Sequence, residues 1–204
     1  MRVLVNGGAG YIGAHAAKAL AKAGHEPIVF DNLSCGHAHA VQWGPLVQGD
    51  IRNRSDVLEA LERHKPDAVM HFAASIEVGI GQKEPAFFYD NNVAGALNVM
   101  RCMLEAGVNA FVFSSTCAIY GDPERLPLTE DAAKRPVSVY GRTKLMVEQM
   151  MEDISRAHGL RFAALRYFNA SGADFDGDIG EEHDPETHLI PNALKAAAGL
   201  GGPM

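Results

Sequence analysis

Val5-Asn6-Gly7-Gly8-Ala9-Gly10-Tyr11-Ile12-Gly13 joins a short apolar run, Val3 to Val5, to an Ala- and Lys-rich stretch, Ile12 to Ala23, with the make-up of a helix. Glycines between a strand and a helix let the backbone turn tightly, approach a pyrophosphate and pack the helix close to the sheet. The free N–H groups of the first helical turn then face the anion. Glycines also mark plain turns, so the position between strand and helix says more than the letters do. Asp31 follows the next apolar run, Glu26 to Phe30. A carboxylate at that strand end can accept hydrogen bonds from the adenosine ribose hydroxyls and repels a 2′-phosphate, so NAD is expected rather than NADP.

Outward from this stretch, short apolar runs alternate with helical patterns. Pro45 to Gln48 reads as a short strand, and Asp56 to His64 as a helix with Val57, Leu58 and Leu61 on one face. Asp67 to Phe72 reads as a buried strand, Asn92 to Ala106 as a helix and Ala110 to Ser115 as a strand. Val137 to Ala157 is a long helix and Leu160 to Arg166 another strand. The expectation is an α/β protein: a doubly wound parallel sheet of Rossmann type with helices on both faces. Three long loops, Ser34 to Gly44, Tyr120 to Pro136 and Ala170 to Thr187, are of the kind that bind or cover ligands.

Composition narrows the partners. With 47% apolar and 21% charged residues the chain is neither disordered nor collagen-like, and 204 residues suit one large domain, or one plus a fragment. A net charge of −7 without a basic run argues against nucleic acid and anionic membranes. No apolar stretch reaches the ~18 residues of a membrane span, and no targeting signal is visible. Cys35, Cys102 and Cys117 form an odd set without C-x-x-C spacing, which implies free thiols in a reducing, cytoplasmic setting.

Tyr140-Gly141-Arg142-Thr143-Lys144 lies near the start of the long helix, and residues four apart share a helix face, so Tyr140 and Lys144 can reach one site. A phenol with a pKa of about 10 is a poor base at neutral pH. A neighbouring ammonium and a cationic nicotinamide would favour phenolate and make Tyr140 a usable general base. Alone, the same spacing also reads as a buried tyrosine beside a solvated lysine. The strand-end hydroxyls Ser114, Ser115 and Thr116 favour the catalytic reading.

With these residues in place, the chain resembles the extended short-chain dehydrogenase/reductase superfamily, and within it the UDP-hexose 4-epimerases. The resemblance runs from Val3 to Pro191. It includes Asp31-Asn32-Leu33, Gly49-Asp50-Ile51-Arg52, His71-Phe72-Ala73-Ala74, Asp90-Asn91-Asn92-Val93, Phe113-Ser114-Ser115-Thr116, Arg166-Tyr167-Phe168-Asn169 and His188-Leu189-Ile190-Pro191. It implies that Thr116 supplies the catalytic hydroxyl, Tyr140 the base and Lys144 the cofactor-orienting lysine. It implies NAD held by Gly7, Gly10, Tyr11, Ile12, Gly13, Asp31 and Asn32, with Asp50 and Ile51 at the adenine. Phe72, Ala73, Ala74, Asn91, Ser114, Tyr140, Lys144 and Tyr167 complete the cofactor contacts. A UDP-sugar would meet Thr116, Tyr140, Asn169, His188 and Leu189, and a homodimer is expected, with Met146, Met150 and Met151 on a helix face that could serve it.

The implied reaction is inversion at C4: proton removal by Tyr140, hydride transfer to NAD, rotation of a 4-keto sugar and hydride return to the other face. A nucleotide-sugar dehydratase would place Asp and Glu after the catalytic threonine, where this chain has Cys117 and Ala118. Asn6 replaces the family's usual threonine, Ile76 stands where some members have lysine, and Ile80-Gly81 replaces a frequent Glu-Ser pair. Asp174-Phe175-Asp176-Gly177-Asp178 resembles a calcium loop, yet Ile179 and Pro185 fill the positions that need glycine and glutamate. Glu181, Glu182, His183, Asp184 and His188 lack a zinc spacing, so no metal is expected. Residues 1–168 are expected to form the NAD-binding domain, and 169–204 to begin a substrate-binding lobe that is mostly missing. The alternatives are an NAD-binding or regulatory module with little catalysis, or another NAD-dependent nucleotide-sugar enzyme.

Overall fold

Every strand pairing is parallel, in the order β3-β2-β1-β4-β5-β6, in a computed structural model that describes residues 1–183, 186 and 188–200. The strands are β1 (Arg2–Asn6), β2 (Glu26–Asp31), β3 (Leu46–Gln48), β4 (Ala68–His71), β5 (Ala110–Ser114) and β6 (Arg161–Leu165). The chain builds outward from β1 to β3, then returns to the other side of β1 with β4. This is the Rossmann order, and it opens a crevice where the strand order reverses, beyond the ends of β1 and β4. In register, Asn6 lies opposite both Phe30 and His71, so the residues that leave these three strands meet at one level.

The helices are α1 (Tyr11–Lys22), α2 (Arg54–His64), α3 (Val78–Lys83), α4 (Pro85–Phe88), α5 (Gly95–Glu105), α6 (Val139–His158) and α7 (Leu189–Ala197). Alternate strand residues Leu4, Ile28, Phe30, Val69, Phe111 and Phe113 form one core with Val57 and Leu61 of α2, Val99 and Met103 of α5, and Val147 and Met151 of α6. On the other face Ala9 and Ala17 pack against Val29, with Leu33, Val41 and Leu46 around them. The small residues of α1 let it lie close to β1 and β2. Over β6 the sheet is more open, with Phe162 and Leu165 exposed.

The long helix begins at Val139 rather than Val137 because buried Ser138 caps it, its hydroxyl accepting the Gly141 N–H at 3.0 Å. Gly159 ends it at φ 73°. The helix expected from Asn92 is preceded by α3 and α4 and entered through a π-turn, Tyr89–Ala94. π-turns interrupt regular periodicity, which explains why the pattern shows a helix only beyond them. Helix α7 was not apparent because Pro191 reads as a breaker, yet it lies in the first turn, where proline is tolerated. Of the methionine run, Met151 is in the core and Met150 packs against it, while Met146 is exposed.

Gly13 and Gly10 serve the loop differently. A Cβ at Gly13 would overlap the Gly7 carbonyl oxygen, whereas one at Gly10 would meet only that oxygen at 3.4 Å. We expect Gly13→Ala to destabilise the fold by about 1–3 kcal/mol, as overpacking does. Gly10→Ala should cost less than about 1 kcal/mol as a helix-cap change. Urea unfolding of both variants, which share the same chemical change, tests this ordering.

Candidate active site

The loop after β1 is closed by its own backbone and by Asp31. Gly7 has φ 74°, and a Cβ there would come within 2.5 Å of the Ala73 nitrogen, so the turn and the approach of β4's exit both need glycine. The Asn6 carbonyl accepts from the Phe72 and Ala73 N–H groups at 2.8 and 3.1 Å, drawing Phe72 to Ala74 beside the loop. Asp31 accepts from Ala9 N–H at 3.0 Å through one oxygen and from Leu33 N–H at 2.8 Å through the other. Its carboxylate therefore ties the glycine loop to β2, a structural task in addition to the one expected. Gly10 caps α1 without a side chain, and the N–H groups of Tyr11, Ile12 and Gly13 belong to the first turn. A polar cradle of this kind fits a pyrophosphate.

Further along the same edge, Asp50 sits in a clamp. Arg52 donates to both its oxygens, at 3.0 and 2.7 Å, and Asn32 Nδ2 donates at 3.2 Å. Hydrogen bonding from Arg52 lowers the Asp50 pKa to about 2, against the opposing effect of burial. Ile51 is buried with its side chain against Gly95 of α5, and its carbonyl accepts from Asn98 Nδ2 at 2.7 Å. On the β4 side, Asn91 Nδ2 reaches Ser75 Oγ at 3.3 Å. Buried Asn92 pins Ser75 through both backbone groups, at 2.8 and 2.9 Å, and donates to Thr143 Oγ1 of α6 at 3.2 Å. Asn92 was not singled out by sequence; the π-turn that aims it has no signature of its own.

The end of β5 carries the groups suited to proton transfer. Lys144 is 2% exposed, and its Nζ donates to the Ser114 carbonyl at 2.7 Å. The amine lies 4.8 Å from the centre of the Phe113 ring and 5.8 Å from that of Tyr140. Ser114 Oγ is hydrogen-bonded to the Tyr167 hydroxyl. Thr116 caps the short turn Cys117–Tyr120 by accepting from Ala118 N–H at 3.1 Å. Ser114, Thr116, Tyr140, Lys144 and Tyr167 are thus gathered as expected.

The electrostatics differ from the simple ammonium–phenol picture. Burial pushes the Tyr140 phenol up to about 12, with hydrogen bonding from Thr116 pulling the other way, and burial lowers Lys144 to about 7. Lys144 does not by itself make Tyr140 a phenolate in the ligand-free protein. Its neighbour His71, wholly buried, is pushed down to about 3 by burial and then by the Lys144 charge. His71 is therefore neutral and lies 3.2 Å from Asn6 Nδ2 through its Nδ1, leaving Asn6 Oδ1 buried without a partner.

The C-terminal stretch reaches back to α1. Lys18, 4% exposed, donates to Asp174, to Asp178 at 2.7 Å, and lies 2.9 Å from Asp176, while Tyr11 OH donates to the Gly172 carbonyl at 2.6 Å. The calcium-like triad thus surrounds a lysine ammonium, which supplies the positive charge internally. Glu181, His183, Glu186 and His188 bring one ligand atom each within 4.8 Å of one another. Among them His188 Nδ1 lies 2.8 Å from Glu186 Oε1 and 3.0 Å from Glu181 Oε1, an imidazole paired with two carboxylates. Asp184, Pro185 and Thr187 lie outside the described residues. Asn169 and Leu189 are exposed, and no hydrogen bond links Asn169, His188 or Leu189 to Thr116, Tyr140 or Lys144.

A glycine loop at the switch point, with Thr116 after β5 and Tyr140 and Lys144 of α6 beside it, is the arrangement of the short-chain dehydrogenase/reductase type of fold. The profile of the NAD dependent epimerase/dehydratase family matches residues 3–201, and the chain belongs to that family. It is 56% identical over 197 residues to the UDP-glucose 4-epimerase of Rhizobium meliloti (strain 1021), covering 97% of this chain and 60% of that protein. It is 50% identical to the UDP-glucose 4-epimerase of Lactobacillus helveticus, over 99% of this chain and 62% of the relative. The crystal structure of UDP-glucose 4-epimerase from Brucella ovis in complex with NAD superposes with TM-score 0.95 at 54% identity, over 97% of this chain and 61% of that one. The Stenotrophomonas maltophila enzyme with NAD and formylated UDP-arabinopyranose gives TM-score 0.94 at 40% identity, over 98% and 62%. The chain spans about 60% of the length of the curated relatives it matches.

Burying Lys144 has a measurable consequence. Its pKa falls from 10.5 to about 7 on folding, so the unfolded chain holds the proton more tightly between those values. Stability should therefore rise with pH across that interval, and the full penalty should apply below about pH 7. Lys144→Met should remove it, stabilising the ligand-free protein by several kcal/mol at pH 6, with the gain shrinking toward pH 10. Urea unfolding of both proteins across this range checks the sign: a gain that does not shrink with rising pH would contradict it.

Proposed function

We propose that this chain carries out the chemistry of a UDP-glucose 4-epimerase, interconverting UDP-glucose and UDP-galactose through a transient 4-keto sugar with NAD as a tightly held cofactor. The observation that carries this reading is the joint packing of Tyr140, Lys144, Thr116 and Ser114 at the end of β5, on the same sheet edge as the glycine loop. Relatives with NAD in their structures, one also with a UDP-sugar derivative, support the cofactor and the substrate class. In this reading residues 1–168 hold the cofactor and 169–204 begin the substrate-binding part.

Each residue's task follows from its surroundings. The first-turn N–H groups at Tyr11 to Gly13 take the pyrophosphate, Asp31 and Asn32 the adenosine ribose, and Asp50 with the Ile51 backbone the adenine. Phe72, Ala73, Ala74 and Asn91 flank the nicotinamide side, with Ser114 and Tyr167 below. NAD, when bound, supplies reversible hydride acceptance from C4 of the sugar. Tyr140 removes the proton from the 4-hydroxyl and later returns it, while Thr116 hydrogen-bonds the same oxygen as its charge changes. Because burial holds the ligand-free phenol near 12, Tyr140 becomes a competent base only when positive charge from the cofactor joins that of Lys144. This couples basicity to cofactor occupancy. Asn169, His188 and Leu189 meet the UDP-sugar on the open side.

The protein acts in the cytoplasm as a homodimer in this reading. Exposed Leu97 of α5 and Met146 of α6 supply apolar surface for pairing these helices, and the three cysteines are free. Among the described residues no helix is long and apolar enough to cross a membrane.

Calorimetric binding should favour NAD over NADP by at least about tenfold, and Asp31→Asn, which keeps an acceptor but removes the charge, should narrow the gap. Equal affinities in the unaltered protein would reject this cofactor assignment. Tyr140→Phe should leave NAD affinity within about twofold while lowering conversion of UDP-galactose by at least about 100-fold. NAD binding without any conversion by the unaltered chain would instead make it a nucleotide-binding module.

A further inference from the structure

Tyr140, Lys144 and Glu148 stand at successive four-residue steps on α6 and therefore on one face. Each faces one residue of the consecutive triplet Ser114-Ser115-Thr116, at and just beyond the end of β5. The Thr116 hydroxyl is near enough to the Tyr140 phenol to draw its pKa down, and Lys144 Nζ donates to the Ser114 carbonyl at 2.7 Å. Glu148 Oε1 accepts from Ser115 Oγ at 2.6 Å. Only the first two belong to the proton-transfer chemistry. The third contact is buried, at 2% exposure for Glu148 and 1% for Ser115. It lies between the other two in the sequence of that triplet.

Glu148 is itself fixed from the far side. Arg166, next after β6, donates to both its oxygens, at 2.9 and 2.7 Å, and to Tyr120 OH at 2.8 Å and the Glu130 carbonyl at 3.1 Å. Lys134 Nζ lies 3.6 Å from Glu148 Oε2. Burial raises the Glu148 pKa, but the hydrogen bonds from Arg166 and Ser115 outweigh it and leave the carboxyl lowered, so it remains an anion. One carboxylate thus joins α6, the end of β5, the end of β6 and the loop between Thr116 and Tyr140. Arg166 also precedes Tyr167, whose hydroxyl meets Ser114 Oγ and whose carbonyl accepts from Cys117 N–H at 3.1 Å.

We infer that Glu148, acting through Ser115 and clamped by Arg166, is a positioning residue that holds the register of α6 against the end of β5 and thereby keeps the Tyr140 phenol beside Thr116. Val147 and Met151 pack α6 into the core and Asn92 ties Thr143, while Lys144 and Glu148 make its polar contacts with Ser114 and Ser115. The Glu148 contact, one turn beyond that of Lys144, sets the rotation of the helix against this strand end. Displacements well under a helical turn suffice to separate a hydroxyl from a phenol oxygen, and misplacement of about 1 Å can cost about 100-fold in rate. The inference rests on reading Tyr140 as the base.

Ser115→Ala removes the contact while leaving the Glu148–Arg166 pair, and Glu148→Gln removes the charge while keeping a shape similar to glutamate. Both are made in the full chain and measured with NAD. Two readouts are taken: the kcat and KM for UDP-galactose, and the phenol titration of Tyr140 followed by the ζ-carbon shift of labelled tyrosine, assigned with Tyr140→Phe. The groups that face this phenol are Lys144 from α6, Thr116 and Cys117 from the turn after β5, and Tyr167 after β6. None of them is altered.

For Ser115→Ala we expect NAD affinity and KM within about twofold, kcat lower by about 10- to 100-fold, and a higher Tyr140 titration midpoint as the Thr116 hydrogen bond loosens. Glu148→Gln should move both readouts in the same direction. If it fails to fold, as judged by circular dichroism, Ser115→Ala decides alone. Unchanged kcat and an unchanged Tyr140 midpoint in folded Ser115→Ala would overturn the inference, as would a lower melting temperature as its only effect. Retained turnover in Tyr140→Phe would instead reject the base assignment, so the two failures are distinguishable. The titration reads the positioning contact even where turnover is too slow to measure.

Discussion

A lysine amine enclosed by protein, with one carbonyl and two aromatic rings for company, sets the conditions for the rest of the site. Lys144 reaches the Ser114 carbonyl at 2.7 Å from inside the packing of α6 on the sheet. Removing such a group from water disfavours its charged form, and its pKa falls to about 7. The same enclosure raises the Tyr140 phenol to about 12 and keeps His71 neutral. In all three groups burial shifts the equilibrium toward the form that needs less solvation. The same dryness strengthens any charge interaction made inside it.

Placing a costly group so deep requires rigid surroundings. Parallel pairing brings the ends of β1, β4 and β5 together, and close packing through Gly13 and Ala17 seats α1 on β1 and β2. Buried polar groups are then tied off one by one: Asn92 to both backbone groups of Ser75, Asp31 to Ala9 and Leu33, Glu148 to Arg166 and Ser115. Such networks gain specificity when every member is satisfied. Asn6 Oδ1, buried beside His71 without a partner, is an exception in the region of the glycine loop. The C-terminal stretch is held by a different device, the Lys18 amine among Asp174, Asp176 and Asp178. It binds the segment after Gly172 to the helix whose N-terminus faces the pyrophosphate cradle.

Much of this was visible in the order of residues because the relevant signals are local. The glycine loop lies between a strand and a helix, Asp31 ends the next strand, and Tyr140 and Lys144 are four apart on one helix. Each is a short-range pattern whose geometry follows from helix or strand repeat alone. What stayed hidden depends on pairs that only the fold brings together. Arg166 and Glu148 are in separate elements, and Lys18 meets a loop from the far end of the chain. The acidic triad could be rejected as a calcium loop from Ile179 and Pro185, but nothing local named the cation that faces it. Glu148 was within reach, since it continues the Tyr140–Lys144 spacing by one more turn. The raised phenol pKa was not, because it depends on how completely the helix excludes water.

The central claim is that one enclosed centre removes hydrogen from C4 of a UDP-hexose and returns the same hydrogen to it. Supplying UDP-galactose deuterated at C4 to the protein with NAD, and following the product by NMR, tests that claim directly. The expected product is UDP-glucose that keeps the deuterium at C4, because in the proposed reaction the hydride is returned to the sugar without exchange with water. Conversion with deuterium lost to water would contradict the account, since it would mean that C4 is inverted by proton exchange with solvent.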